Sequence, residues 1–454
     1  MHSPAADQVA RHLAALIRIP TVTVNAEDGP TEEEARPHFA AFRATLEEFY
    51  PRTFAAAQVD VAGFAGLLLR IPGAAADKPV VLMAHQDVVP VPEDWKAEGW
   101  EHPPFDGVIA EGHVHGRGAL DDKGALVVVC EAVESLLAEG WTPPQDLYLL
   151  FGSDEELNGP SAVAAVALLE ERGVVPHMVV DEGGAVALEA FPGVEGETAV
   201  IGVSEKGIVT LELTAVSEGG HASTPPRQSA AGILAAAITR LEKNPFPPSV
   251  HEVSREMLAT VAPHASGNAG RALRAAARFP GPLAPVLGRV SPEMSAMVRT
   301  TTAVTQLAGS PAHNVLATRA RAVVNLRIAT GSSVAQTAAR VERVIRDSRV
   351  SVRVVEGSEP SPVSPRGEDP RWLALHDAIG QSYPDALVVP YIMIAASDGR
   401  HMARIAPAVY RFSPLRMTRE QRVAIHGPNE KVEVDALGRG VQFYRALLTS
   451  ERLG

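Results

Sequence analysis

The chain has a single cysteine, no long apolar run and no cluster of basic residues. With Cys130 alone among 454 residues, it can form no internal disulfide and has no cysteine-rich zinc module, and this usage suits a reducing compartment. No stretch approaches the roughly 20 apolar residues of a membrane span. The N-terminal segment carries Asp7 and Arg11 within its apolar pattern, which predicts an amphipathic helix and not a signal peptide. We therefore expect a cytoplasmic protein that does not cross a membrane.

The charge balance is acidic. The 54 acidic and 41 basic residues give a formal net charge of -13 at pH 7. Because no basic patch is present, nucleic acid and anionic membrane surfaces are not expected as partners. Bound cations would balance part of the negative charge. The bulk composition is that of an ordinary soluble enzyme.

The length and the order of the apolar runs predict two domains. A chain of 454 residues that is 46% hydrophobic exceeds what a single core usually serves. Strand-like runs such as PVVLMAH, DLYLLFGS and HMVVDEG alternate with helical runs. This alternation predicts an α/β fold with a mainly parallel sheet flanked by helices, whose sites gather at the carboxyl ends of the strands.

The sequence pattern changes near Lys206. The strand IVTLELTAVS alternates apolar and polar residues, and a helix, a strand, a helix and a strand follow. We expect a smaller α+β lid or dimerisation domain at 206–357, inserted into a catalytic domain formed by 1–205 and 358–454. The segment 244–297 is rich in proline and alanine, and we interpret it as irregular helices without assigned chemistry.

Acidic and histidine residues follow the predicted strands. His85 and Asp87 lie two apart at a strand end, so both side chains can face the same way, and a carboxylate there can orient a metal-bound imidazole. Asp121 and Asp122 are adjacent and surrounded by glycines. Neighbouring carboxylates repel unless a cation compensates, so a carboxylate that bridges two metals explains the pair, with a surface turn as the alternative.

Further carboxylates and a second imidazole follow. Glu155 and Glu156 come directly after LYLLFGS, and because adjacent side chains diverge, one can bind metal while the other takes a proton from water. Asp181 ends another strand, and His426 is a late imidazole that would close the site. The set has the composition of a two-metal hydrolytic centre.

The ordered motifs of the chain are HQDVVP, GRGALDDKG, GSDEELNG, DEGG, GGHASTPP, NLRI, ASDGR and HGPNE, and they extend over most of its length. Together they resemble the motifs of the M20 metallopeptidase family, which includes carboxypeptidases, desuccinylases and aminoacylases. The DVVPV extension is most similar to the Gly-Xaa carboxypeptidase and N-acyl-amino-acid hydrolase branch. The resemblance implies two zinc ions, for which cobalt or manganese can substitute.

The resemblance also implies a role for each metal-site residue. Asp121 would bridge the two ions, joined to Asp122 by a peptide bond that is often cis in the family. The other assignments are His85 and Asp181 on one ion, Glu156 and His426 on the other, Glu155 as general base and Asp87 behind His85.

Three further motifs concern the substrate. By resemblance, His221 would stabilise the oxyanion, often from the partner subunit of a homodimer formed through the inserted domain. Asn325 and Arg327 share one face of a predicted strand, and a guanidinium there suits a substrate carboxylate. Asn314 is a companion, and Ser397 and Arg400 belong to a loop that lines the pocket in relatives. This chain has alanines before Ser397 where relatives usually have glycines, which leaves the detailed substrate contacts open.

These residues predict a zinc-dependent hydrolase. It would cleave an amide bond next to a free carboxylate and release an amino acid from a dipeptide or short peptide. Two alternatives stay open, an N-acyl-amino-acid deacylase and a non-catalytic metal-binding protein that kept the fold. A pure binder needs no base, and the presence of Glu155 therefore favours an enzyme.

Overall fold

The computed structural model describes residues 4–24, 29–279, 281, 284–285, 288–289 and 292–453. Strands and helices alternate through most of this part of the chain. In chain order the strands are β1 (Gln58–Ala62), β2 (Gly66–Ile71), β3 (Ala75–His85), β4 (Val108–Ala110), β5 (His113–His115), β6 (Gln145–Gly152), β7 (Met178–Asp181), β8 (Ala185–Leu188), β9 (Glu197–Glu205), β10 (Gly207–Val216), β11 (Gly220–His221), β12 (Thr301–Ala308), β13 (Val315–Leu316), β14 (Arg319–Ile328), β15 (Val350–Ser358), β16 (Leu387–Met393), β17 (Val409–Arg411), β18 (Arg416–Met417) and β19 (Lys431–Glu433).

The helices cover the sheets. They are α1 (Pro4–Ile17), α2 (Glu32–Phe49), α3 (Pro51–Ala56), α4 (Lys123–Ala138), α5 (Pro160–Glu171), α6 (Ala230–Lys243), α7 (Glu252–Val261), α8 (Gly267–Arg278), α9 (Pro292–Val298), α10 (Val334–Ile345), α11 (Pro370–Ser382), α12 (Gly399–Met402), α13 (Arg419–Ala424) and α14 (Val434–Leu448). Among the described residues, no helix has both the length and the apolar character that crossing a membrane requires.

The largest sheet has ten strands, in the order β1-β2-β6-β3-β7-β17-β9-β8-β18, with β16 paired to β9. At its centre β3 runs parallel to both β6 and β7, and β17 runs parallel to β7. Every residue of β6 is buried, because helices cover both faces of the sheet. The predicted α/β fold with a mainly parallel sheet is confirmed.

The helices on the two faces form separate cores. On one face α1, α4, α11 and α14 pack around buried residues such as Leu13, Val128 and Phe443, and on the other α5 and α12 pack around Val166 and Met402. The first residue of α4, Lys123, is fully buried. Its Nζ donates to the carbonyl oxygens of Leu16, near the end of α1, and of Ile19, just after it. Burial lowers the pKa of Lys123 to about 7.

The inserted part of the chain forms a second sheet. Four antiparallel strands lie in the order β12-β14-β10-β15, the first in sequence beginning at Gly207 and the last ending at Ser358. Helices α6 and α10 cover one face through a core that includes Ile233, Leu234 and Val341. The alternating burial of β14 matches the alternation of its sequence, because only one face of this sheet is covered.

The segment 244–297 packs differently from the rest of the insertion. Its described part contains helices, as expected, but α7 packs on β16 of the large sheet. Met257, Leu258 and Val261 form a core with Val194 and with Val389 of β16. The strands of the four-stranded sheet thus lie within 207–358, while part of the segment between them packs on the large sheet.

Truncation of a central strand residue should destabilise the protein. Leu149 lies in β6 and is fully buried, so Leu149→Ala should lower the free energy of unfolding by about 2–5 kcal/mol through lost burial and a residual cavity. Val163 on α5 is 39% exposed and provides the control. Val163→Ala should change the free energy of unfolding by no more than about 0.5 kcal/mol. Urea unfolding followed by circular dichroism measures both. Equal destabilisation would contradict the central position of β6.

Candidate metal centre and active site

His85 is the last residue of β3 and points its two ring nitrogens at different partners. Nδ1 lies 3.0 Å from the backbone oxygen of Asp87 and 3.4 Å from its Oδ1, and Nε2 lies 3.0 Å from Asp121 Oδ1. The imidazole is almost fully buried. Asp87 thus contacts one ring nitrogen, while the other, Nε2, faces Asp121.

Asp87 has a second contact that the sequence did not reveal. Its Oδ1 and Oδ2 accept hydrogen bonds from the backbone N–H groups of Glu155 and Glu156, each at 3.2 Å. These glutamates form a 3₁₀ turn that follows β6 directly. One buried carboxylate therefore aligns both a predicted metal ligand and the predicted base.

Glu430 is a buried residue that shapes the loop before α4, and its motif gave it no role in the sequence. Glu430 Oε1 accepts the N–H groups of Leu120 at 2.8 Å and Asp121 at 3.1 Å, and Oε2 accepts Gly118 N–H and Arg117 Nη1. The peptide between Asp121 and Asp122 is cis, as the resemblance implies. The position of Glu430 in HGPNE, four residues after His426, was the available signal.

Asp121 lies between the two imidazoles. Its Oδ1 lies 3.0 Å from His85 Nε2, and its Oδ2 lies 3.0 Å from His426 Nε2. His426 Nε2 is also 3.2 Å from Glu156 Oε1. Hydrogen bonds with Asp121 and then with Glu156 raise the pKa of His426 to about 10. A divalent cation would compete with that proton for the same nitrogen.

The donor atoms fit a metal ion. Among the described residues, His85, Asp121 and Glu156 offer ligand atoms that all lie within 4.8 Å of one another. Glu156 Oε1 is buried, and the imidazole of His426 lies beside it, with Nε2 3.2 Å away. Imidazole nitrogens and carboxylate oxygens are typical zinc ligands. A buried carboxylate oxygen that faces the same imidazole nitrogen as Asp121 has the position expected of a metal ligand.

Asp181 lies at the end of β7, the strand next to β3, and is not part of the group formed by His85, Asp121 and Glu156. It is the last residue of β7, it is buried, and its Oδ2 accepts the backbone N–H of Gly399. A Cβ on Gly399 would lie 2.9 Å from the same oxygen, so the close approach requires glycine. The structure therefore brings Asp181 to the same edge of the sheet and ties it to the segment 397–400.

Glu155 is surrounded by other acidic groups. Burial raises its pKa well above the ordinary value, and the nearby carboxylates of Asp398 and Glu156 raise it further, while His85 opposes them. A carboxylate with a raised pKa is a better proton acceptor near neutral pH. The position of Glu155 beside Glu156 suits the predicted base.

The predicted substrate residues Arg327 and Arg400 lie near each other. Burial lowers the pKa of Arg327, and the guanidinium of Arg400 lowers it further, while the carboxylate of Glu205 opposes. Arg400 Nη2 is buried and has no acceptor among the described residues. Asn325 lies on the same strand and directs its Nδ2 at Thr210 Oγ1, 3.4 Å away. A buried guanidinium donor without an acceptor, close enough to a second guanidinium to lower its pKa, favours an anionic ligand.

Ser397 does not line an open pocket. Its side chain is fully buried, and both its backbone N–H and its hydroxyl donate to Glu205 Oε2 at 3.3 Å. The hydroxyl of Ser397 is thus engaged with Glu205 in this structure. A direct contact of Ser397 with the substrate stays a prediction. The acceptor Glu205 was not identified from the sequence.

His221 and Asn314 lie together on the inserted domain. His221 is exposed in β11, which pairs with β13, and Ala222 N–H donates to the backbone oxygen of Asn314 at 3.2 Å. Among the described residues, neither side chain forms a hydrogen bond or an ion pair with His85, Asp121 or Glu156. The structure thus brings these two residues together on the inserted part of the chain.

The chain is similar to known hydrolases along most of its length. Residues 81–450 match peptidase family M20/M25/M40. An N-fatty-acyl-amino acid synthase/hydrolase from Xenopus tropicalis is 34% identical over 448 residues, which cover 97% of this chain and 85% of that protein. A Dictyostelium discoideum protein named "Probable carboxypeptidase S-like 2" is 32% identical over 453 residues, which cover 97% and 84%.

Solved structures share the fold. A metallo-carboxypeptidase of the M20 family from Sulfolobus solfataricus gives a TM-score of 0.70 at 16% identity and covers 97% of this chain and 98% of its own. Human carnosine dipeptidase 1 gives a TM-score of 0.66 at 16% identity, covering 98% and 95%. At this identity the likeness concerns the fold alone.

Neutralising Glu430 should weaken metal binding. Glu430→Gln keeps the shape of the side chain but places an NH₂ group against N–H donors of the Asp121 loop. Because residues that orient metal ligands contribute strongly, zinc affinity should fall about 10–100-fold. Competition with a fluorescent chelator measures it. Glu433→Gln, which alters a carboxylate paired with Arg416, is the control and should bind zinc as the unmodified protein does. Equal affinity in both variants would contradict a role for Glu430.

Proposed function

Because the chain belongs to peptidase family M20/M25/M40, we propose that it is a zinc-dependent hydrolase that cleaves an amide bond beside a free carboxylate. The observation that carries the proposal is the convergence of His85, Asp121, Glu156 and His426, with Glu155 next to Glu156. Two imidazoles and several carboxylates at one sheet edge form the donor set of a hydrolytic zinc site.

The proposed ligand set has two halves that share Asp121. His85 and Asp181 would hold one zinc ion, and Glu156 and His426 would hold the other. The opposite orientation of the two Asp121 oxygens, one toward each imidazole, supports this division. Zinc in such a site lowers the pKa of water and polarises a carbonyl oxygen. Cobalt or manganese would suit the same donors.

Glu155 would move the proton. Its raised pKa and its place beside the donor set let it take a proton from the attacking water and deliver it to the leaving amine. Asp87 holds the backbone of the turn, so the carboxylate of Glu155 keeps a fixed position relative to Glu156. A purely metal-binding protein would need no such group, which disfavours the non-catalytic alternative.

Arg327 and Arg400 would bind the carboxylate of the substrate. Arg327 comes from the inserted sheet, and Arg400 comes from the catalytic domain beside Asp181. An anion between them would reduce the repulsion of the two guanidiniums and supply the acceptor that Arg400 Nη2 does not have among the described residues. Recognition of a free carboxylate is common to carboxypeptidases and to N-acyl-amino-acid hydrolases.

Short peptides and N-acyl amino acids both meet these requirements, and the relatives include proteins named for each class. The Xenopus relative is named for N-fatty-acyl-amino acids, and the Dictyostelium relative for carboxypeptidase activity, at nearly equal identity. We propose an amino acid as the released product in both cases, from a short peptide or from an N-acyl amino acid.

His221 would act only after a rearrangement. It is exposed on the lid, so closure of the inserted domain or a second copy of the chain would have to bring its imidazole to the developing oxyanion. Asn314, which lies beside it, would accompany that movement.

Replacement of the proposed base should separate chemistry from metal binding. Glu155→Gln should reduce kcat at least about 100-fold, because the amide cannot accept the proton, and should leave zinc content unchanged. Steady-state kinetics and elemental analysis on the same sample measure the two effects. Loss of zinc together with activity would show that Glu155 and Glu156 have been assigned the wrong way round.

The carboxylate preference should depend on Arg327. Arg327→Met should reduce kcat/KM for a free-acid substrate about 10–1,000-fold and affect the corresponding carboxamide much less, since the lost contact is a charge-assisted hydrogen bond. Arg319→Met, at the exposed far end of the same strand, should behave as the unmodified protein. If Arg327→Met lowers kcat/KM for the free acid and for the carboxamide by the same factor, Arg327 does not recognise the carboxylate.

The central experiment combines metal analysis with a substrate panel. About two zinc ions per chain, and turnover that a chelator abolishes and zinc restores, are expected. Dipeptides and N-acyl amino acids with the same C-terminal residue would distinguish the two substrate classes. A protein that binds no metal after zinc is supplied would contradict the proposed function.

A further inference from the structure

A fully buried ion pair lies directly behind the segment that carries Arg400. Arg411 Nε donates to Glu205 Oε2 at 3.0 Å, and the side chains are 0% and 1% exposed. A buried pair of this kind adds little stability relative to apolar residues, whereas loss of one partner is costly. The main effect of such a pair is therefore expected on the positions of the groups that it contacts, and less on the free energy of unfolding.

Glu205 fixes the beginning of the segment 397–400. Its Oε2 accepts the backbone N–H and the hydroxyl of Ser397 in addition to Arg411. Two residues further along, Gly399 N–H donates to Asp181 Oδ2. The segment is thus held at one end by Glu205 and in its middle by a candidate metal ligand, and Arg400 follows immediately.

Arg411 connects this segment to the strand that ends at Asp181. In the sheet, Arg411 of β17 is the parallel partner of Asp181 in β7, and Phe412 N–H donates to the backbone oxygen of Asp181 at 2.7 Å. Arg411 Nη1 donates to the backbone oxygen of Val409. A Cβ on Gly202 would lie 3.0 Å from Arg411 Cβ, so the neighbouring strand leaves little room for the arginine to move.

The carboxylate of Glu205 has both positive and negative neighbours. Arg411 and Arg400 favour its charged form, whereas the nearby carboxylate of Asp181 opposes it. Nη2 of Arg411 and Nη2 of Arg400 are both buried without an acceptor among the described residues. The Nη2 group of Arg400 is therefore available to an added acceptor such as a substrate carboxylate.

We propose that Glu205 and Arg411 are a positioning pair that holds the segment 397–400 so that Arg400 faces the carboxylate of the substrate. Neither residue touches the substrate. They act through Ser397 and Arg400. This inference rests on the proposed function, because it requires a carboxylate-bearing substrate.

The test uses binding in place of turnover. In the zinc-supplied Glu155→Gln protein, calorimetry compares the affinity for N-acetyl-leucine with that for its carboxamide, without and with the additional change Glu205→Gln. Glu205→Gln should raise Kd for the acid about tenfold or more and change Kd for the amide by less than about threefold, with zinc content unchanged. Arg411→Met should act in the same direction, and Arg411→Lys should restore part of the acid affinity.

A matched control distinguishes positioning from general destabilisation. Tyr383→Phe removes another buried hydrogen bond, from Tyr383 Oη to the backbone oxygen of Pro414, without contact to 397–400. It should leave the acid-over-amide preference unchanged. Ser397→Ala removes only the hydroxyl that donates to Glu205, so it tests the same connection with the ion pair intact and should lower the preference less than Glu205→Gln.

Three outcomes would overturn the proposal. If Glu205→Gln and Ser397→Ala weaken acid and amide by the same factor, or leave acid affinity unchanged, the pair does not position Arg400. If the zinc content falls in parallel with acid affinity, the pair acts on Asp181 instead. A Glu155→Gln protein that binds acid and amide alike would overturn carboxylate recognition itself, and the proposed substrate class would fail with it.

Discussion

The constraint on which the site depends is the repulsion among carboxylates that are buried at one edge of the sheet. Burial raises the pKa values of Asp122, Glu155, Glu182 and Asp398 well above their ordinary values, and their negative neighbours raise them further. Carboxyl groups in such a place would bind protons unless cations compensate. Divalent ions bound to the neighbouring ligands would offset part of this repulsion.

Three other buried acids hold the backbone and do not face the metal site. Asp87 aligns the turn of Glu155 and Glu156, Glu430 shapes the loop before α4, and Glu205 fixes the segment 397–400. Each accepts backbone N–H groups, so each loop has its place set by a charge-assisted hydrogen bond. The rigidity of the candidate site therefore comes from a second set of carboxylates that differs from the set proposed to bind metal.

The inserted part of the chain contacts the rest of the protein through different kinds of interaction. Arg327 of β14 lies close enough to Arg400 for the two guanidiniums to repel, and the helix α7 packs on β16 of the large sheet. The four-stranded sheet thus lies beside the residues proposed to bind a substrate carboxylate, whereas the helical segment is attached through an apolar core.

The sequence by itself determined the features that depend on local pattern. Apolar runs followed by His85, Glu155 and Asp181 predicted strand ends that carry polar side chains, whereas Asp121 lies in the loop before α4. The change of alternation near Lys206 predicted the second sheet. Strand periodicity and the preference of sites for carboxyl ends operate over a few residues, so they can be read without coordinates. The family resemblance added the roles of the individual residues.

Only the tertiary structure decided which residues hold those ligands in place. Glu430 contacts Asp121 across 309 residues and Arg411 contacts Glu205 across 206, and neither pair has a local signature. The inward orientation of Ser397 and the packing of α7 on β16 depend in the same way on distant partners. A short motif specifies the chemistry of a side chain, whereas its burial and its hydrogen-bond partners are set by segments that meet only when the chain folds.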